Sequence, residues 1–138
     1  MGKVIEKLRL TNAFAPKKKA EIEAVIDIGA TMLVLPLALV RRLGLKKRSE
    51  VTVRYANGAT DVRPVYGVVQ VEIKGRVGDF DVLAETDGAQ PLVGQIVLEQ
   101  LDLVVDPRKR KVLPNPQSPD LPIIEVLGLS QPDRLILN

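Results

Sequence analysis

From Glu50 to Glu85 the chain reads EVTVRYANGATDVRPVYGVVQVEIKGRVGDFDVLAE, and this stretch limits the possible folds more than any other. Apolar and polar residues alternate through it, with Val at most of the apolar positions, and that period places one face of a strand inward. Asn57-Gly58 and Lys74-Gly75 interrupt the alternation, and Asp87-Gly88 follows it. Asn-Gly between two alternating runs is the strongest short-range hairpin signal. The segment therefore predicts a meander of antiparallel strands, which few helical folds can accommodate.

The rest of the chain agrees. Val4–Asn12 alternates as a half-buried strand, and AFAPKKK after it reads as an exposed turn. Ala20–Asp27 alternates again, with Ile22, Ala24 and Ile26 on one face, before Gly29 breaks it. MLVLP resumes as a short buried strand, and Pro36 then opens a helix that Gly44 closes. Leu92-Val93-Gly94 predicts a short buried strand, followed by a helix from about Ile96 to Leu101 and a hairpin across Asp106–Arg110. From Pro114 the composition turns proline-rich. Residues 1–113 are thus read as one domain, and 114–138 as a linker with a docking strand at IIEVLGL.

The chain is 46% apolar and only 3% aromatic, so the core must be aliphatic. It has neither cysteine nor histidine. This excludes disulfides, thiolate nucleophiles, Ser-His pairs and most zinc sites. Catalysis, if present, falls to carboxylates, Lys, Tyr or hydroxyls, or to a metal held by oxygen alone. A pair such as Asp79 and Asp81 is weak support for such a metal. Three basic runs, PKKKAE, VRRLGLKKR and DPRKRKV, are read as solvated side chains, with an acidic partner or RNA as the alternative. So few aromatics offer little for base stacking, and nucleic acid is not an expected partner. No apolar run is long enough for a membrane span, and a cytoplasmic location is expected.

Asp27 is the singular residue. It sits in EAVIDIGATMLVLP, an otherwise apolar run, where even a neutral polar group without a hydrogen bond costs roughly 2–7 kcal/mol. A strand, then Asp-Ile-Gly-Ala-Thr, then another strand aims a carboxylate out of a strand end, with Gly29 allowing the tight turn. An aspartate capping its own turn is the structural alternative.

AVIDIGATMLVLP resembles the active-site loop of the retropepsin-like aspartic proteases, an apolar run followed by Asp-(Thr/Ser)-Gly-(Ala/Ser) and a second apolar run. Leu92-Val93-Gly94, a short helix and a strand resemble the family's second glycine element, and VRYANGATDVRPVYG stands where its flap hairpin lies. The likeness runs from about Ala20 to Val112 and is to the small stand-alone prokaryotic type. It implies a closed all-β retropepsin-like barrel with one or two short helices. It also implies an endopeptidase in which two aspartates share a proton and activate water, without metal or cofactor. Asp27 would be catalytic, in a loop completed by Ile28, Gly29, Ala30 and Thr31. Tyr55, Asn57 and Gly58 would cover substrate, and Leu92, Val93 and Gly94 would support the loop. Since only one such loop is present, the resemblance implies a homodimer acting on peptides with apolar residues beside the cut.

The chain departs from the pattern at Ile28, where the family carries Thr or Ser, whose hydroxyl braces the two loops. It departs also at Thr31 and Gln95, where retroviral members carry an Asp–Arg ion pair. Ile28 leaves open one alternative, a dimeric peptide-binding or scaffold module with a weak or inactive dyad, and a second alternative is a basic nucleic-acid-associated β-barrel.

Overall fold

A computed structural model describes residues 3–128. Nine strands and two short helices follow in the order β1 (Ile5–Asn12), β2 (Ala15–Ile26), β3 (Leu33–Pro36), α1 (Leu37–Arg42), β4 (Lys46–Arg54), β5 (Thr60–Ile73), β6 (Arg76–Glu85), β7 (Leu92–Val93), α2 (Gln95–Leu101), β8 (Leu103–Asp106) and β9 (Lys111–Pro114). The architecture is mostly β, as the alternation requires.

Seven strands form one sheet in the order β1-β2-β7-β3-β6-β5-β4, and an added β1–β5 pairing closes six of them into a ring. Strand β4 hangs outside the ring on β5, and β8 and β9 form a separate hairpin. Leu8, Leu10, Ala24, Leu33, Leu35, Val69, Val71, Ile73 and Val82 fill the interior, with α1 and α2 contributing Val40, Val97 and Leu101. Most strands supply alternate residues, so the pleat delivers a core that is aliphatic except for Phe80, with Tyr66 packed against it.

The expected turns at Asn57-Gly58 and Lys74-Gly75 form. Lys74 and Gly75 both take positive φ, the geometry that matches the twist of a two-residue hairpin. AFAPKKK, expected as a turn, is mostly strand. The turn is confined to Ala13-Phe14, where the Asn12 side-chain oxygen accepts from the amides of Phe14 (2.9 Å) and Ala15 (3.2 Å). The β1–β2 register then jumps from Asn12↔Ala15 to Thr11↔Lys19, so Pro16 lies in a bulge where its missing N–H breaks no ladder bond.

Beyond β9 the chain makes turns and extended segments, and no strand forms between Asn115 and Gly128. Leu129, the end of the expected docking strand, lies outside the described residues. What holds the segment is Asp102. Its carboxylate accepts from the side chains of Asn115 (3.1 Å) and Ser118 and from the Ile123 amide (3.0 Å). The buried Arg76 guanidinium donates to the carbonyls of Leu101, Asp102 and Ser118, tying the end of α2 to the same segment.

Candidate active site

Strand β2 ends at Ile26, and the chain turns sharply. The Asp27 amide donates to the Val93 carbonyl (2.9 Å), its own carbonyl accepts from Ala30 N–H (3.1 Å), and its Oδ1 accepts from Gly29 N–H (2.9 Å). Asp27 therefore does cap its own turn. Its second oxygen, Oδ2, bonds no group among the described residues. The side chain is only partly buried, which relieves the penalty that an apolar strand interior would impose.

Strand β7 fixes this loop in place. Val25 and Ile26 pair in parallel with Leu92 and Val93, and Val34 pairs antiparallel with Leu92. The two strands flanking the Asp27 turn are thus held by one short central strand. Directly after β7, Gly94 packs against the loop so closely that a β-carbon there would lie 2.5 Å from the Met32 carbonyl oxygen and 2.6 Å from that of Ala30. The first two amides of α2 then donate back, Gln95 to Ala30 O (2.8 Å) and Ile96 to Thr31 O (3.0 Å). A helix start leaves such amides without intrahelical partners. Here the loop carbonyls satisfy them, and both chain segments become rigid together.

Ala30 is partly buried and Thr31 exposed. Ile28 points to solvent at 65% exposure, so within a single chain it is no core residue. Leu33 and Leu35 are fully buried.

The β4–β5 hairpin projects from the ring. Tyr55, Asn57 and Gly58 all lie in its tip, where Tyr55 N–H donates to Ala59 O (2.8 Å) and the Asn57 side chain accepts from Ala59 N–H (2.9 Å). None of the three bonds Asp27. The Tyr55 hydroxyl instead donates to Glu85 Oε2 (2.7 Å) at the end of β6, and Glu85 Oε1 meets Arg63 Nε at 2.7 Å. The bond to Glu85 is the main reason the Tyr55 phenol titrates above its ordinary value. This Tyr55–Glu85–Arg63 chain ties the hairpin to the end of β6, and sequence reasoning missed it because Glu85 lies far from the other two in the chain. Met32, Val53 and Leu92, all partly buried, pack on Val34, Val65 and Leu83 and form an apolar bed between hairpin and loop.

Asp81 is engaged by Arg48 at 3.2 Å rather than standing ready beside Asp79 for a metal. No group of three acidic side chains is placed to hold one among the described residues.

A family model described as aspartyl protease matches residues 17–96, from the β2 bulge through the start of α2. The chain belongs to that family. The matched span contains the Asp27 loop, the projecting hairpin, Leu92-Val93-Gly94 and the contact between loop and helix start. The match thus covers all or most of five of the six ring strands, all but β1, together with β4. No curated protein matches the sequence. No helix among the described residues is long and apolar enough to cross a membrane.

Proposed function

We propose that the protein is an aspartic endopeptidase that acts as a homodimer, with one Asp27 from each copy. The observation that carries this reading is the braced loop: Asp27 leaves a strand end with one carboxylate oxygen uncommitted, on a turn pinned by Val93, Gly94 and the start of α2. Preorganised carboxylates of this kind act by holding geometry, and rigidity is what the surrounding bonds supply.

Each chain carries one such loop, so a second copy provides the other acid, and an isologous two-fold contact is the commonest way to do it. Two carboxylates a few ångströms apart cannot both ionise, so the pair shares one proton. The ionised one takes a proton from a water lying between them, and the water oxygen attacks the peptide carbonyl. The protonated one donates to the carbonyl oxygen, and a proton then passes to the leaving nitrogen as the C–N bond breaks. Met32, Val53 and Leu92 offer an apolar bed for side chains next to the cut, which supports apolar residues there.

Substitution of Asp27 by Asn tests the reading. Loss of general acid–base chemistry lowers cleavage of an apolar reporter peptide by about a hundred- to ten-thousandfold. Cleavage at the parent rate would remove Asp27 from the reaction.

A second reading, a dimeric peptide-binding module without turnover, is favoured by Ile28, which lacks the hydroxyl that would brace paired loops, and by the Asp27–Gly29 bond within its own turn. A statine-type peptide separates the two. A working dyad binds it far more tightly than the matching amide peptide, whereas a module without turnover binds both alike.

A further inference from the structure

Two of the three basic runs in the sequence, more than twenty residues apart, meet at one end of the molecule. The Asn12 side-chain Nδ2 donates to the Leu43 carbonyl at 2.9 Å, joining the β1–β2 turn to the end of α1. The Lys18 side chain lies across Gly44, its Nζ 2.7 Å from where a β-carbon would stand. Ala13 N–H donates to Val68 O (3.0 Å) while Lys46 pairs with the neighbouring Gly67. These contacts gather Lys17, Lys18, Lys19, Arg41, Arg42 and Lys46, none of which forms an ion pair among the described residues. The adjacent Lys47 and Arg48 are neutralised by Glu50 and Asp81. The third basic run, in the β8–β9 turn, lies toward the opposite end of β1, where the Glu6 carboxylate accepts from the Val112 amide.

The same turn carries Phe14 at its tip, three residues before Lys17 and 79% exposed. A large aromatic ring left in water is unfavourable, and nothing in the turn requires it, since Asn12 makes the turn's hydrogen bonds. We propose that this end of the molecule docks on an anionic lipid surface, with Phe14 entering the headgroup layer and the six cations on the lipid phosphates and carboxylates. A nucleic-acid strand would call for several stacking rings or a groove following the phosphates. A single exposed apolar wedge on a turn that shares its end of the molecule with lysines and arginines is instead the pattern of a protein that lies on a charged bilayer.

The placement leaves the Asp27 loop free. Lys19 begins the regular part of β2 and Asp27 directly follows its last residue, roughly 25 Å away at the usual rise per strand residue. Docking would therefore turn the loop away from the bilayer. The inference does not depend on the peptidase reading, since the patch shares no residue with the Asp27 site.

Sedimentation of the full chain with vesicles tests it. Phosphatidylcholine and phosphatidylserine vesicles at roughly two to one should carry the protein down at low salt, pure phosphatidylcholine should not, and binding should fall steeply as salt is added. K17E/K19E and R41E/R42E, made separately, should each weaken partition by about tenfold or more, although the pairs lie in different segments. F14S should weaken it while preserving its salt dependence. Absence of binding to the charged vesicles would overturn the proposal. So would binding insensitive to either charge reversal, or stronger salt-dependent binding to single-stranded RNA than to the vesicles.

Discussion

Gly94 lies against Ala30 so closely that a side chain of even one carbon would fall 2.6 Å from the Ala30 carbonyl oxygen. The obstructing atoms are backbone and cannot swing away, so Gly94→Ala must push α2 off the Asp27 loop. The expected cost is about 1–3 kcal/mol, as for other overpacked sites, seen as a lower denaturant midpoint with an unchanged slope. Because the Gln95 and Ile96 bonds to Ala30 and Thr31 loosen with it, peptide cleavage should fall further than stability does. A variant as stable as the parent would mean that the loop is not braced in this way.

Much of this arrangement can be read from the chain, and the reason is local chemistry. The turns at Asn57-Gly58 and Lys74-Gly75 depend on the residues within them, and so does the Asp27 turn. The contact between that turn and Gly94 is tertiary, and only the family resemblance anticipated it. Pro16–Lys19 misread as loop because a bulge in β2 is decided by the register with β1. The burial of Glu6 is legible, since it shares an alternating face with Leu8 and Leu10, but its partners, the Val112 amide and the Lys74 ammonium, are tertiary. The role of Asp102 left none, since its partners are brought to it only by the folded tail.

Ile28 offers a test of association that leaves the monomer alone. The side chain is 65% exposed, so Ile28→Lys should change the stability of the isolated chain by no more than about 0.5 kcal/mol. In a dimer built on the Asp27 loops the two lysines would face each other near the axis. Self-association should weaken by about tenfold or more, and cleavage should fall with it, with part of the association returning at high salt. Sedimentation equilibrium checks this, and association equal to the parent's would place any dimer contact elsewhere.

Tyr55 ties the projecting hairpin to the ring through Glu85. Its phenol is held above the ordinary value of 10.0, chiefly because it donates to the Glu85 carboxylate. A raised folded-state pKa gives stabilisation that is fully present below the unfolded value and is lost as pH rises through the folded one. The tie is therefore intact at neutral pH and fails only in strong alkali. Tyr55→Phe should remove it at every pH. The melting temperature should move little, because the tyrosine is partly exposed, while amide exchange in Tyr55–Ala59 should quicken. Exchange at the parent rate would show that Glu85 does not restrain the hairpin.

Asp102 sets the opposite pH dependence at the other side of the molecule. Hydrogen bonds from Ser118, the Ile123 amide and Asn115 hold its carboxyl below the usual carboxylate value of 3.8. A depressed folded-state pKa gives stabilisation that is present above the unfolded value and lost as pH falls through the folded one. The segment 115–128 should thus stay clamped from neutral pH down to the ordinary carboxylate range and detach only in stronger acid. Asp102→Asn keeps the shape but replaces one acceptor oxygen by a donor, so at least one of the three bonds must break. The Ser118 and Ile123 amide resonances should then take the detached positions already at neutral pH and lose their acid transition. The core of the ring should keep its amide protection, since the Asp102 carboxylate bonds only Asn115, Ser118 and Ile123, outside the strands of the ring. If the Ile123 amide instead titrated in the variant as in the parent, the acid transition would belong to a group other than Asp102, and the Asp102 carboxylate would not be the clamp.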